Sequence, residues 1–225
     1  MLTFQQVTKK YSNGRVALDN VSFHIDEGEF VFLVGSSGAG KSTAIRLIIR
    51  QETPTSGDIL FEGIKVNKLK GDKLARYRRD IGIVFQDFKL LSARTVAENV
   101  AFVLEVSGKP YSFIKKAVDY ILDLVGLSDK RNAFPATLSG GEQQRVAIAR
   151  AIVTEPKMLI ADEPTGNLDR SNAWDIIQLF NKINNWGTTV VIATHDTEIV
   201  DSLNKRVIRF ENGRLVRDNV GGYHF

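Results

Sequence analysis

The sequence predicts an α/β protein whose core is a parallel β-sheet. Four short runs of apolar, largely β-branched residues recur along the chain, at residues 30–34, 81–85, 157–161 and 189–193. The apolar residues are continuous rather than alternating, which is typical of strands buried on both faces. Helical patterns separate the runs, and polar residues follow each of them directly. We therefore expect a ligand site beyond the carboxyl ends of these strands.

The remaining segments complete this fold in chain order. The N-terminal third, with "DEGE" and "GDILFEG", predicts short antiparallel strands. Residues 113–125 carry apolar residues at helical spacing, with Ser112 as the expected N-cap and Gly126 as the expected stop. A further helix is expected over residues 142–154, and the Asn-Gly pair at 212–213 predicts a hairpin near the C-terminus.

Length and composition favour one ordinary globular domain over residues 1–225. The chain is 43% hydrophobic and 25% charged, which supports a sizeable core. Within the domain we expect a core with a β-rich part over about residues 1–87 and 156–225, and a helical part over about residues 88–155. No apolar run approaches the length of about 18 residues that a membrane span needs.

The residue types that are absent or modestly represented exclude several classes of site. The sequence has no cysteine, which excludes disulfides and cysteine metal sites and fits a reducing cytoplasm. The N-terminus lacks the apolar core of a signal peptide. The net charge is only +4, and Asp72 and Asp80 interrupt the most basic stretch, residues 65–80. We interpret that stretch as solvated surface, with anionic lipid or a partner protein as the second reading and nucleic acid as the third.

The stretch "GSSGAGKS" at residues 35–42 matches the phosphate-loop pattern G-x-x-x-x-G-K-[ST] in full, between a predicted strand and a predicted helix. Its glycines let backbone N–H groups point at phosphates, and the helix N-terminus favours an anion. Lys41 is predicted to reach the β- and γ-phosphates, and the Ser42 hydroxyl to bind Mg²⁺. The predicted nucleotide-binding residues here are Gly35, Ser36, Ser37, Gly38, Ala39, Gly40, Lys41, Ser42 and Thr43.

The stretch "MLIADE" at residues 158–163 supplies the acidic partners of this loop. Asp162 ends an apolar run, where its carboxylate can hold the shell of the Mg²⁺ ion. Glu163 is one residue further on, and a carboxylate there can polarise a water molecule. The pair therefore predicts hydrolysis of a nucleoside triphosphate rather than binding alone.

A second glycine-rich turn, "LSGGEQQ", begins a predicted helix. Ser139 and Glu142 have the spacing of a capping box, which by itself predicts only a well-started helix. Gly140 and Gly141 add a turn that can bind an anion at the helix N-terminus. Because the phosphate loop already accounts for the phosphates within one chain, we expect this turn to bind the γ-phosphate held by a second copy. The sequence thus predicts a homodimer that forms on ATP binding.

The order and spacing of these motifs resemble those of the ATP-binding cassette (ABC) ATPases over essentially the whole chain. The resemblance implies a P-loop NTPase fold with a RecA-like parallel-sheet core, an antiparallel β subdomain and an α-helical subdomain, with ATP and Mg²⁺ as cofactors. It also implies residue roles: Tyr11 stacks on adenine, Gln86 senses Mg²⁺, Glu163 is the catalytic base, Asp169 communicates across the dimer, and His195 contacts the γ-phosphate. Lys41 and Gln86 join Glu163 and His195 as expected catalytic residues, and Ser42, Gln86 and Asp162 are the expected metal ligands.

Within that family, residues 84–91 and 94–102 are similar to the ATPases of bacterial cell division. That resemblance implies an integral membrane partner like FtsX, regulation of peptidoglycan hydrolases, and a peripheral location on the cytoplasmic face of the membrane at the division septum. The lipoprotein-release and macrolide-efflux ATPases also carry "GNLD", so a true transporter motor is the alternative. A soluble ABC protein acting on DNA or ribosomes is the third hypothesis, but the chain lacks a second cassette and a long coiled-coil insertion. No nucleic-acid partner is expected.

Overall fold

The structure, a computed structural model, describes residues 1–222. The end of the predicted domain, residues 223–225, lies outside this part. The chain forms two compact units: Met1–Arg78 with the segment that starts at Ile183, and Arg79–Lys182. The predicted division near residues 88 and 155 stays a prediction.

The secondary structure alternates between strands and helices along most of the chain. The strands are β1 (Leu2–Lys10), β2 (Val16–Ile25), β3 (Phe30–Val34), β4 (Ser56–Phe61), β5 (Ile64–Lys65), β6 (Ile81–Val84), β7 (Met158–Asp162), β8 (Thr189–Thr194), β9 (Arg206–Glu211) and β10 (Arg214–Val220). The helices are α1 (Lys41–Ile48), α2 (Gly71–Arg79), α3 (Val96–Val106), α4 (Tyr111–Leu124), α5 (Gly140–Ile152), α6 (Arg170–Asn185) and α7 (Thr197–Leu203). The predicted strands and the predicted α/β class are confirmed.

The first unit contains an antiparallel sheet with the strand order β2-β1-β4-β5. One side of this sheet is apolar and buried, with Leu2, Phe4 and Ile25 almost fully shielded from solvent. Phe4 stacks on Phe23 across the β1–β2 pair, with 4.4 Å between the ring centres. Burial of these side chains stabilises the sheet, and the antiparallel strands predicted for the N-terminal third are confirmed.

The same unit contains the parallel strands that position the phosphate loop. β3 lies between β8 and β9 and runs parallel to both. Every residue of β3 and of β8 is buried, as the continuous apolar runs predicted. β9 and β10 form the predicted hairpin, in which Asn212 and Gly213 both have positive φ angles, of 50° and 78°.

The second unit contains the parallel pair β6 and β7 together with the helices α3, α4 and α5. The buried side of α4 is formed by Ile114, Val118, Ile121 and Leu122, which confirms the predicted helical spacing. The predicted N-cap of this helix was wrong. Pro110 is at that position, its carbonyl oxygen accepts hydrogen bonds from the N–H groups of Phe113 and Ile114, and Ser112 lies inside the first turn.

The helix expected over residues 142–154 begins two residues earlier, at Gly140, because Ser139 is its N-cap, and it ends at Ile152. Among residues 1–222, no helix combines the length and the apolar character that a membrane crossing requires.

Candidate active site

The phosphate loop connects β3 to α1, and two of its glycines are required by the fold as well as by the motif. Gly35 has a φ of 145°, and a Cβ atom there would collide with the carbonyl oxygen of Phe210. Gly40 has a φ of 118°, and a Cβ atom there would lie 2.7 Å from the Cδ2 atom of Leu18. Only glycine fits this backbone path, which leads directly into the N-terminus of α1.

Lys41 is buried and its side chain folds back over the loop that precedes it. The Nζ atom donates hydrogen bonds to the carbonyl oxygens of Gly35, at 2.7 Å, and Ser36, at 3.4 Å. The N-cap of α1 is Gly40, which has no side chain that could cap the first amide groups of the helix. A buried ammonium group next to a helix N-terminus creates a positive potential inside the loop, which suits a polyphosphate.

His195 lies at the neighbouring strand end in the same unit. β3 and β8 run parallel, and their last residues, Val34 and Thr194, are paired with each other. Gly35 and His195 are therefore the first residues beyond the ends of two adjacent strands. The turn after β8 is ordered by the Thr194 hydroxyl, which accepts a hydrogen bond of 3.0 Å from the N–H group of Asp196. The parallel pairing thus brings the predicted γ-phosphate histidine to the start of the phosphate loop.

Tyr11 directly follows β1 and is held by a cluster of charged residues. Its hydroxyl donates a hydrogen bond of 3.0 Å to the carboxylate of Glu52, and the ammonium group of Lys9 lies 5.1 Å from the centre of the Tyr11 ring. Lys9 also pairs with Glu52 at 3.0 Å. Burial alone would raise the pKa of Glu52, but the ion pair with Lys9 and the hydrogen bond from Tyr11 outweigh it and lower that pKa. The ring orientation is therefore fixed, while stacking on adenine stays a prediction.

In the second unit, β6 and β7 bring Gln86 and the two acidic residues to one edge. Val84 is paired with Ala161 in the parallel ladder, so the residues after them leave the sheet on the same side. Glu163 has a φ of 50°, a left-handed conformation that costs a residue other than glycine about 1–3 kcal/mol. Nine other non-glycine residues of the described part also have positive φ, so the support for the role predicted for Glu163 comes from its place after β7 and not from its backbone conformation.

The glycine-rich turn at residues 139–142, here called the signature turn, begins α5 with the predicted capping box. The Ser139 hydroxyl accepts a hydrogen bond from the N–H group of Glu142, at 3.3 Å, and the Glu142 carboxylate accepts one from the N–H group of Ser139, at 2.8 Å. The bond from the Ser139 N–H group stabilises the charged carboxylate and so lowers the pKa of Glu142. Thr95 and Glu98 form the same box at the start of α3. The capping box alone therefore does not indicate an anion-binding turn, and it is Gly140 and Gly141 that distinguish the signature turn from an ordinary helix start.

The signature turn is in direct contact with the segment that carries Asp169. A Cβ atom on Gly141 would lie 2.7 Å from the Oδ1 atom of Asn172, so this position has no room for a side chain. The N–H group of Asn172 in turn donates a hydrogen bond of 3.0 Å to Asp169, and this bond lowers the pKa of that carboxyl. Asn172 thus links the two motifs. Sequence reasoning missed it, because no local pattern marks an asparagine in the first turn of a helix as a contact of a distant glycine.

The predicted residues divide between the two units. Tyr11, the phosphate loop and His195 belong to the first, whereas Gln86, the signature turn, Asp162, Glu163 and Asp169 belong to the second. Hydroxyl, amide and carboxylate oxygens, which Ser42, Gln86 and Asp162 carry, are the donor types that Mg²⁺ prefers. Residues 1–222 contain no group of three or more histidine, aspartate or glutamate side chains that could hold a metal ion. A single carboxylate fits a metal ion that is bound largely by phosphates and water.

Comparisons with known proteins agree with these motifs. The chain matches the model of the ABC transporter family over residues 18–166. It is 55% identical to the cell division ATP-binding protein FtsE of Mycobacterium tuberculosis, over 100% of this chain and 98% of that protein. It is 54% identical to the protein of the same name from Bacillus subtilis, over 99% of this chain and 97% of that protein.

Solved structures give the same result for the fold. One is a dimeric, post-hydrolysis state of an ATP-binding cassette bound to ADP and Pi, with a TM-score of 0.89, 39% identity and coverage of 98% of both chains. Another is cbiO1 from Clostridium perfringens, described as part of the ABC transporter complex cbiONQ, with a TM-score of 0.90 and 34% identity over 97% of this chain and 88% of that chain. The similarity thus extends over nearly the whole chain.

Proposed function

The chain belongs to the ABC transporter family and is an ATPase, and from this premise we propose that it is the ATP-hydrolysing subunit of an FtsE-type complex. In this proposal, ATP-driven dimerisation is coupled to the membrane protein FtsX and regulates cell-wall hydrolases during cell division. Identity of 55% and 54% to two FtsE proteins over essentially their full lengths is the observation that supports it most strongly. The chain would then act at the cytoplasmic face of the membrane, at the division septum.

The proposed chemistry is positioning and electrostatic stabilisation of a transferred phosphoryl group. The loop amides and the Lys41 ammonium bind the β- and γ-phosphates, and Tyr11 stacks on the adenine. Ser42, Gln86 and Asp162 hold Mg²⁺, which neutralises phosphate charge when bound. Glu163 accepts a proton from the attacking water molecule, and His195 contacts the γ-phosphate.

The working unit in this proposal is a homodimer in which each ATP is bound by two chains. The phosphate loop of one chain and the signature turn of the other complete each site. The dimeric cassette bound to ADP and Pi supports this assembly at 39% identity. Asp169, linked to the signature turn through Asn172, is then suited to report on the partner chain.

A mixing experiment tests the shared site. In a Glu163→Gln background, chains that also carry Lys41→Ala are mixed with chains that also carry Ser139→Ala, and trapped nucleotide is counted per dimer. We expect two nucleotides in the Glu163→Gln dimer, one in the mixed dimer, and none in either doubly substituted homodimer. The control for the Ser139→Ala homodimer is the homodimer that carries Thr95→Ala in the same Glu163→Gln background, which loses the matching capping box of α3 and should retain two nucleotides. Equal trapping in the mixed dimer and in the Ser139→Ala homodimer would count against sites shared between chains.

A cleft on the second unit is the surface that we propose for the membrane partner. It has a volume of about 560 Å³, and its apolar part is formed by Leu104, Phe113, Tyr120, Ile121 and Val153. Phe113 and Tyr120 remain 47% and 66% exposed. Large apolar side chains exposed together at a cleft are typical of protein interaction sites. Three cationic side chains and two carboxylates line the rest of the cleft, which fits a helical segment with an apolar face and polar flanks: Arg79, Lys109, Lys116, Asp80 and Glu155.

Substitution of Tyr120 tests this surface. We expect Tyr120→Arg to reduce recovery of a co-expressed FtsX-type membrane protein from detergent extracts by at least about tenfold, because aromatic residues in such pockets dominate binding. Tyr111→Arg is the matched control, since Tyr111 is 81% exposed on the same helix but does not line the cleft. Unchanged recovery with Tyr120→Arg would exclude the cleft as the docking surface.

The transporter alternative is decided by a different measurement. Flux of a lipoprotein or macrolide substrate in reconstituted vesicles would favour the transporter motor, whereas loss of septal hydrolase activity on depletion would favour the cell-division role. Salt-sensitive binding of DNA or RNA would instead favour the hypothesis of a soluble ABC protein that acts on DNA or ribosomes.

A further inference from the structure

The loop that follows β6 and carries Gln86 has an unusual backbone. Phe88 and Lys89 have φ angles of 57° and 50°, so two successive residues with large side chains adopt the left-handed conformation. This region is disfavoured for such residues, and two in succession require support from the surrounding structure. The N–H groups of both residues bond within the loop itself, to the carbonyl oxygens of Phe85 and Asp87.

Arg150 provides that support from the last turn of α5. Its Nη1 atom donates a hydrogen bond of 2.7 Å to the carbonyl oxygen of Lys89, and its Nη2 atom donates one of 2.9 Å to the carbonyl oxygen of Phe88. The guanidinium group is partly buried, and its burial lowers the pKa of Arg150. A rigid planar fork can bind two adjacent carbonyl groups at once, which the single ammonium group of a lysine cannot do in the same geometry.

The two ends of the loop are held by other parts of the second unit. At the start, the Nδ2 atom of Asn167 donates a hydrogen bond of 3.0 Å to the carbonyl oxygen of Gln86. At the end, the buried Asn99 side chain accepts a bond of 2.8 Å from the N–H group of Leu91 and returns one of 3.1 Å to its carbonyl oxygen. Because both ends of the loop are held in this way, the two hydrogen bonds from the Arg150 guanidinium group determine the backbone path at Phe88 and Lys89.

We propose that Arg150 is a positioning residue for ATP hydrolysis, which sets Gln86 relative to the signature turn by holding Phe88 and Lys89 in their left-handed conformations. The signature turn and Arg150 lie at opposite ends of α5, which has only 13 residues, and a rigid element of this kind can carry coupling between two sites. A displacement of α5 when its N-terminus meets a nucleotide is therefore passed to the Gln86 loop. The inference rests on the proposed roles of Gln86 and of the signature turn.

Steady-state hydrolysis by Arg150→Ala and Arg150→Lys tests the proposal, in the full chain together with its membrane partner. We expect Arg150→Ala to lower kcat by about 10- to 100-fold, since a displacement of about 1 Å at an active site can cost that much. The KM for ATP should change by less than about twofold, because Arg150 itself binds no nucleotide. Arg150→Lys should lower kcat by less than Arg150→Ala does, because the ammonium group can still donate to one of the two carbonyl oxygens.

Arg78 offers a matched control for the loss of an arginine fork. Its Nε and Nη2 atoms donate to two successive carbonyl oxygens, those of Ile49 and Arg50, at 3.2 and 3.0 Å, and Arg50 also has a positive φ, of 57°. Arg78→Ala therefore removes the same kind of contact from a segment that does not carry Gln86. We expect its kcat to stay within about twofold of wild type.

A double-substitution cycle tests the strain itself. Lys89→Gly removes the penalty of the left-handed conformation, so Arg150→Ala should lower kcat several-fold less in that background than in the wild type. Equal losses in the two backgrounds, or a folded Arg150→Ala chain with wild-type kcat, would overturn the proposal. If Arg150→Ala does not fold, the same cycle with Arg150→Lys decides. A wild-type complex that hydrolyses no ATP would instead overturn the proposed function, and this inference with it.

Discussion

Glu163→Gln is expected to bind MgATP, to form a stable dimer with it, and to lose nearly all turnover. A general base contributes about 10²- to 10⁴-fold to a rate, so kcat should fall by that amount while the affinity for ATP is kept. The prediction follows from the place of Glu163, one residue beyond the metal-side Asp162, which ends β7. The measurements are steady-state hydrolysis, and analytical ultracentrifugation with and without MgATP.

Glu155→Gln is the control for this substitution. Glu155 is also a glutamate with a left-handed backbone, with a φ of 53°, but it lies before β7 rather than after it. We expect its kcat in the absence of a partner to stay within about twofold of wild type. Wild-type turnover in Glu163→Gln would remove Glu163 as the base, and a strictly monomeric Glu163→Gln chain in MgATP would contradict the shared site.

Lys41→Ala is expected to lose affinity for ATP rather than only turnover. The ammonium group is the buried positive charge of the phosphate loop, and hydrogen bonds between charged groups contribute about 1.5–3 kcal/mol each. The dissociation constant for MgATP should therefore rise by about 10- to 100-fold, as measured by calorimetric titration. The loss arises from the missing charge on the phosphates.

Lys41→Met separates charge from packing at this position. Methionine keeps most of the buried volume of the lysine stem but cannot donate to the carbonyl oxygens of Gly35 and Ser36. We expect Lys41→Met to bind ATP as weakly as Lys41→Ala. Wild-type affinity in Lys41→Met would show that the lysine fills space in the loop and does not bind phosphate.

The strands and the phosphate loop could be predicted because their signals are local. A short, continuous run of β-branched and aromatic residues such as residues 30–34 is typical of a strand buried on both faces of a sheet, and the glycines of residues 35–42 occur at fixed spacing before a helix. Helix starts were predicted less well. Ser112 has the residue type of an N-cap, but Pro110, two residues earlier, holds that position, because its carbonyl oxygen already accepts the first hydrogen bonds of the helix. Any residue type supplies such a carbonyl group, so the side chain of Ser112 did not decide the boundary.

Contacts within the site were much harder to predict, because they join residues far apart in the chain. Arg150 binds carbonyl groups that precede it by about sixty residues, and Asn172 fills the space beside Gly141. Carbonyl groups carry no sequence signal, and asparagine and arginine are common on helix surfaces. Only the packing of α5 against the Gln86 loop, for Arg150, and against the first turn of α6, for Asn172, shows that these side chains contact the predicted motifs.

By itself, the sequence determined the motifs of this protein: a phosphate loop, an Asp-Glu pair after a buried strand, and a second glycine-rich turn for which a second copy of the chain is predicted. Each is a short pattern whose function depends on residue type and spacing. The tertiary structure alone decided how those residues are held. Parallel pairing placed His195 beside Gly35, and the fork of Arg150 held two left-handed residues next to Gln86. The physical reason is that strand register and side-chain contacts with distant carbonyl groups form only when the whole chain packs.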